Sequence, residues 1–284
     1  MQQFRTRKYA ELVHQNDLAA ILSGTPIGTR ETYEQSLSAA ITLAVRANWE
    51  FTILYCDHAV AIAPCPGTAH EALFVKAVCL RLSMKDDDPP ESILTTYNNA
   101  QIVLDEAIKD LSSAQAELHD ARYYREKSSL ILRVISHKAV NDGEVFDLDS
   151  MTDRGFEMAQ QALGYAKVST GPQSYITLQI LETLLGYYLL SRAKISWRDA
   201  VDWLKQLVDI ANDLRHSGWA QEYYSPTLQL GITLGKSFFD SEDAGVVSSA
   251  FVDETARKIR ASVSYLPIST PLEARISDML RWRH

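Results

Sequence analysis

Apolar positions recur at three- and four-residue steps through most of the chain, which is the period of an amphipathic helix. The clearest stretch is 197–215. Ala200, Trp203, Leu204, Leu207, Val208, Ala211 and Leu214 form one stripe, and Arg198, Asp199, Asp202, Lys205, Asp209 and Asp213 fall between them. Such a helix buries one face against a neighbour and leaves the other in water. Ser196, with Asp199 three residues on, reads as a relative of the capping box. Ser217-Gly218 supplies a stop. The stretch 173–192 differs. Tyr175, Ile176, Leu178, Leu181, Leu184, Leu185, Tyr188 and Leu189 cover well over half its circumference, which predicts a helix packed on two sides.

Four more stretches show the same period. They are 29–48, 91–111 (opened by Pro89-Pro90), 113–138 and 151–167, which Gly171-Pro172 terminates. Weaker helical patterns lie at 4–22, 69–84, 222–239, 244–263 and 271–282. Residues 51–62 admit a strand by their β-branched and aromatic content, but Phe51, Leu54, Tyr55, His58 and Ile62 fit a helix better. Alternating runs joined by hairpin turns are absent elsewhere. About a dozen helices with short connections predict an all-α fold, either a bundle or a solenoid. The polar stretch 141–150 is the expected break. It reads as one long loop inside a single 1–284 repeat domain in preference to a boundary between two subdomains.

Charge narrows the partners. The formal net charge is -8, and binding a nucleic-acid polyanion relies on Lys and Arg neutralising phosphates. The one dense basic run, Arg281-Trp282-Arg283-His284, reads as a solvated tail. Cys56, Cys65 and Cys79 are odd in number and lack C-x-x-C spacing, so free thiols in a reducing compartment are expected. The first residues lead into no apolar signal region, and no N-x-S/T sequon occurs. The most apolar stretch, Tyr175 to Leu190, is interrupted by Gln179 and Glu182 and is too short to span a bilayer. An intracellular protein, cytoplasmic or nuclear and without membrane association, is the expectation.

Catalytic patterns fail on spacing. Gly231 to Ser237 places three apolar residues between its glycines where a phosphate-binding loop needs four. His70-Glu71 lacks the second histidine of a zinc protease, and neither His119 nor His137 belongs to a Glu-x-x-His pair. No G-x-S-x-G elbow occurs. No catalytic residue, metal ligand or cofactor is therefore expected. One acidic cluster offers an alternative, because grouped carboxylates can hold magnesium and through it a diphosphate. Asp87, Asp88 and Glu91 resemble the acidic motif of the all-helical terpene synthases, and Asn212-Asp213-Leu214 resembles the start of their second metal motif. That resemblance implies a metal-dependent enzyme acting on a prenyl diphosphate. His216 and Ala220 stand where its serine or threonine and its glutamate belong, and Pro89-Pro90 would break the helix carrying the first motif. An exposed acidic loop entering a helix N-terminus is the simpler reading.

A second resemblance covers about 151–216. Leu185-Gly186 with Tyr187 and Tyr188 resembles the first-helix motif of the tetratricopeptide family. Ala200 with Leu204 and Leu207 resembles its second helix, as do Ala159, Leu163 and Ala166 ahead of Gly171-Pro172. Tyr97 and Ala100 echo it. Small residues let two helices approach, and the large residue fills the hole beside them. The resemblance implies a right-handed solenoid of antiparallel helix pairs, with an irregular helical bundle as the alternative. It also implies that Thr183, Tyr187 and Ser191 line a groove. Arg122-Tyr123-Tyr124-Arg125 and Trp219 with Tyr223-Tyr224 add residue types that anchor interfaces. Neighbours on a helix point about 100° apart, so one of each pair reaches another helix or the surface. Arg122, Tyr123, Arg125 and Tyr224 are thus candidate contacts. The expected function is binding of a protein or peptide as scaffold or adaptor, without catalysis.

Overall fold

A computed structural model describes residues 32–45, 48–109, 116–137, 147–172, 174–191 and 195–217. Every regular element among them is an α-helix: α1 (Tyr33–Val45), α2 (Trp49–Ala61), α3 (Pro66–Ser83), α4 (Pro90–Lys109), α5 (Ala116–Ile135), α6 (Leu148–Ser169), α7 (Tyr175–Leu190) and α8 (Trp197–His216). The ambiguous segment 51–62 is helical and forms most of α2. The helices expected at 4–22, 222–239, 244–263 and 271–282 lie outside the described residues, as do residues 141–146 of the expected break. The chain falls into two compact units, Met1–Gly155 and Phe156–His284, and the division lies inside α6.

Local chemistry sets several helix ends. Pro66 and Pro90 open α3 and α4, where a missing N–H leaves no helical bond unmade. The Pro89 carbonyl accepts from the Ser92 and Ile93 amides at 3.0 and 3.1 Å, starting the α4 ladder. After α6, Gly171 takes φ +83°, a left-handed conformation suited to glycine, and its amide donates back to the Ala166 carbonyl at 3.1 Å. Ser174 then caps α7, its side chain accepting from the Thr177 amide at 3.1 Å.

In the first unit, α1 packs on α2, α2 on α3, α3 on α4 and α4 on α5, and α3 also touches α1 and α5. Alanines set the spacing. Ala39, Ala40 and Leu43 bury with Tyr55 and Cys56, while Tyr33 and Leu37 bury with Ala59 and Ala72. Small side chains here allow the close approach that ridge-and-groove packing needs. In the second unit α7 packs on α8. α7 buries Leu178, Ile180, Leu181, Leu184 and Leu185 completely, so more than one face of it is covered. Each such side chain contributes roughly 1.5–3 kcal/mol relative to exposure. The Phe156 ring, at the start of this unit, lies 6.3 Å from that of Tyr187 and 6.0 Å from that of Trp203. Among the described residues, no helix is long and apolar enough to cross a membrane.

Candidate functional site

The polar chemistry of the first unit concentrates on α5. An apolar stripe of Ala121, Leu130, Ile131, Val134 and Ile135 is buried, but so are His119, Glu126, Lys127 and Ser128. Buried polar groups need partners, and α3, α4 and α6 share in supplying them. Glu126 is 0% exposed. Its carboxylate accepts from Arg81 Nε at 2.5 Å and Nη2 at 3.4 Å, and from Arg125 Nη1 at 2.6 Å. One turn earlier, both Nη groups of Arg122 donate to the two oxygens of Glu71 at 2.9 Å. The same guanidinium sits 4.5 Å from the centre of the Phe74 ring, and His70 meets His119 edge-on at 5.1 Å. Near the far end Arg133 Nη2 pairs with Asp86 at 2.9 Å and donates to the Met84 carbonyl. Just beyond α5, His137 Nε2 donates to the Lys85 carbonyl at 2.6 Å.

These contacts advance together along both helices. Glu71 meets Arg122, Arg81 meets Glu126, and Lys85 and Asp86 meet His137 and Arg133. α3 and α5 therefore run parallel and side by side, joined by an ionic seam. α4 makes the return path between them and adds Asp105, which accepts from the Tyr123 hydroxyl at 2.5 Å and pairs with Lys127 Nζ at 2.7 Å. Ser128 donates to the Gly155 carbonyl at 2.7 Å. On the other side of α3, Lys76 pairs with Asp57 of α2 at 2.5 Å.

Electrostatics follow from this geometry. Burial pushes the Glu126 carboxyl up, and the Arg81 and Arg125 guanidiniums outweigh it, so the group is held below the usual carboxylate range. Asp105 is also lowered: burial opposes the shift, and Lys127 and Tyr123 overcome it. Burial and the Asp105 bond push the Tyr123 phenol up. Burial pushes both interior thiols up, Cys79 to about 12 with the Glu126 charge adding to it, and Cys56 further. Cys65 is exposed.

The structure brings Arg122, Tyr123 and Arg125 together on α5 and turns each toward a partner inside the same unit. Thr183 and Tyr187, in the second unit, are interior residues. The Thr183 hydroxyl donates to the Gln179 carbonyl at 3.0 Å, and Tyr187 is 0% exposed beneath Phe156. Ser191 is half-buried at the end of α7, its amide donating to the Tyr187 carbonyl at 2.9 Å. Tyr224 lies outside the described residues. In the acidic cluster, Asp86 faces Arg133, Asp88 accepts from the Lys85 amide at 2.8 Å, and Asp87 and Glu91 are exposed. Asn212 and Asp213 lie near the end of α8, where the Asn212 carbonyl accepts from His216 Nδ1 at 2.7 Å. Among the described residues, no group of three or more His, Cys, Asp or Glu is placed to hold a metal ion.

Sequence reasoning missed the acidic half of the seam, Glu71, Glu126 and Asp105. Its available signal was a helix whose charges fall on the apolar stripe as well as off it: Glu126 and Lys127 precede Leu130 and Ile131 by four residues. No protein-family model matches the chain, and no curated protein matches it.

Proposed function

We propose that the chain is a non-catalytic binding module for a protein or peptide segment, built as a right-handed stack of antiparallel helix pairs in the manner of tetratricopeptide-like repeats. The parallel seam between α3 and α5 supports this most. Helix pairs that stack in chain order place the first helices of successive pairs beside one another. α3 touches both α1 and α5, as members of such a row would. A row of this kind carries a continuous surface. Along it Val78 of α3 and Arg122, Arg125 and Leu132 of α5 are half-buried, and Leu82 is 44% exposed. Apolar side chains flanked by arginines suit recognition of a segment by burial plus polar orientation.

Interior side chains offer no surface to a partner, so the proposal does not rest on Thr183 or Tyr187. The magnesium–diphosphate alternative gains no support from its first motif, where Asp88 accepts from the Lys85 amide, Asp87 and Glu91 are exposed, and no metal-holding group forms among the described residues.

Peptide display against the purified chain tests the proposal. Binders should be enriched, and Val78→Glu and Leu132→Glu should each weaken them about tenfold or more with the helical circular dichroism unchanged. Failure to enrich any peptide, or binding indifferent to both substitutions, would sink it.

A further inference from the structure

Two cations of the seam share one partner among the described residues. Arg81 and Arg125 both face the single carboxylate of Glu126, a local surplus of one positive charge among the described residues. Each neighbouring cation has a carboxylate of its own: Arg122 has Glu71, Lys127 has Asp105, and Arg133 has Asp86. Arg125 uses Nη1 on Glu126, while its Nε is buried and meets no hydrogen-bond partner among the described residues. Arg81 gives Glu126 two nitrogens, Nε and Nη2, whereas Arg125 gives one, and the Arg125 side chain keeps 16% of its surface. Charge held this far from solvent is weakly screened.

We infer that Arg125 anchors a carboxylate of the bound segment, so the partner is an acidic peptide. The inference rests on the binding role proposed above and names the chemistry of its ligand. The planar guanidinium has donors left, and a carboxylate is the planar acceptor that matches them. One carboxylate also balances the surplus, giving two cations and two anions. A phosphate dianion would exceed that balance beside Glu126. Val78 and Leu132 flank the seam and are half-buried, which suits a segment that alternates acidic and apolar residues.

The test is fluorescence anisotropy of the full chain with three labelled peptides: alternating Glu and Leu, alternating Gln and Leu, and phosphoserine replacing Glu. The Glu peptide should bind about tenfold tighter than the Gln peptide, the scale of one charged hydrogen bond. Arg125→Gln should bring the two within about twofold of each other. If R125Q does not fold by circular dichroism, Arg125→Lys carries the test. It keeps the charge beside Glu126 and loses the fork, and should weaken only the Glu peptide. Equal binding of the Glu and Gln peptides overturns the carboxylate anchor and leaves peptide binding standing. A Glu preference that survives substitution of Arg125, or tighter binding of the phosphoserine peptide, overturns it as well. So does the failure of all three peptides to bind, and peptide display then decides separately whether the module binds peptides.

Discussion

A carboxylate taken wholly out of water stays ionised only where charged donors replace the lost hydration. Glu126 has two such donors, and removing it would leave Arg81 and Arg125 facing each other in the interior. Glu126→Gln is expected to lower stability by about 3–5 kcal/mol, measured by urea denaturation. The pH dependence has a definite sign. The folded value lies below the ordinary 4.5, so the stabilisation is complete above that pH and is lost as pH falls through the folded value. Asp105 shifts in the same direction, but at 57% exposure its share is smaller. An acid-unfolding curve should therefore flatten in E126Q. An unchanged acid limb would contradict the burial of this triad. The thiols give an independent check at the same scale. Cys65 is exposed, whereas Cys56 and Cys79 are buried with raised values. A thiol reagent at neutral pH should modify Cys65 rapidly and the other two only on unfolding. The sequence marked Arg122, Tyr123 and Arg125 as notable because such residues anchor interfaces. It could not show that the acid meeting Arg122 stands 51 positions earlier, since pairing at that separation is decided by packing.

Helices were legible because their signal is local. The stripe of 197–215 and the nearly all-apolar 173–192 become α8 and α7 within about two residues at each end. Segment 51–62 had the composition of a strand and the spacing of a helix, and it is a helix packed against α1 and α3. α5 exposes the limit of periodicity. Its apolar stripe was readable, but period alone did not show that the charged Glu126 and Lys127 are buried as well, paired with Arg81 of α3 and Asp105 of α4. Helix ends carry two further expectations. Ser174→Ala should cost about 1 kcal/mol, because the Thr177 amide loses its cap. Gly171→Ala should cost about 1–2 kcal/mol. No atom lies within 4 Å of the added methyl, so the penalty there is purely one of backbone conformation. Thermal melts of the two variants check both. A neutral G171A would mean that the turn after α6 does not hold its positive φ.

At the scale of the molecule, what the sequence could offer was chain order: neighbouring amphipathic helices cover one another, and in the first unit they do. Which helices meet beyond their sequence neighbours was not readable, because the contact between α3 and α5 is made by charges scattered among ordinary surface residues. The proposed row of helix pairs depends on that contact. Distances between paired nitroxide labels test it most directly. One label pair joins the exposed native Cys65, at the start of α3, to Ser136→Cys at the end of α5. The other joins Leu82→Cys to Ser136→Cys in a Cys65→Ser background, the two interior thiols being protected. α3 has 18 residues. A parallel seam requires the first distance to be about 30 Å, near the length of the helix. It requires the second to be on the order of 15 Å, set by helix spacing and label arms. A Cys65 pair as short as the Leu82 pair, or shorter, would mean that the helices do not run side by side in the same direction. The stacked-pair architecture would then be wrong.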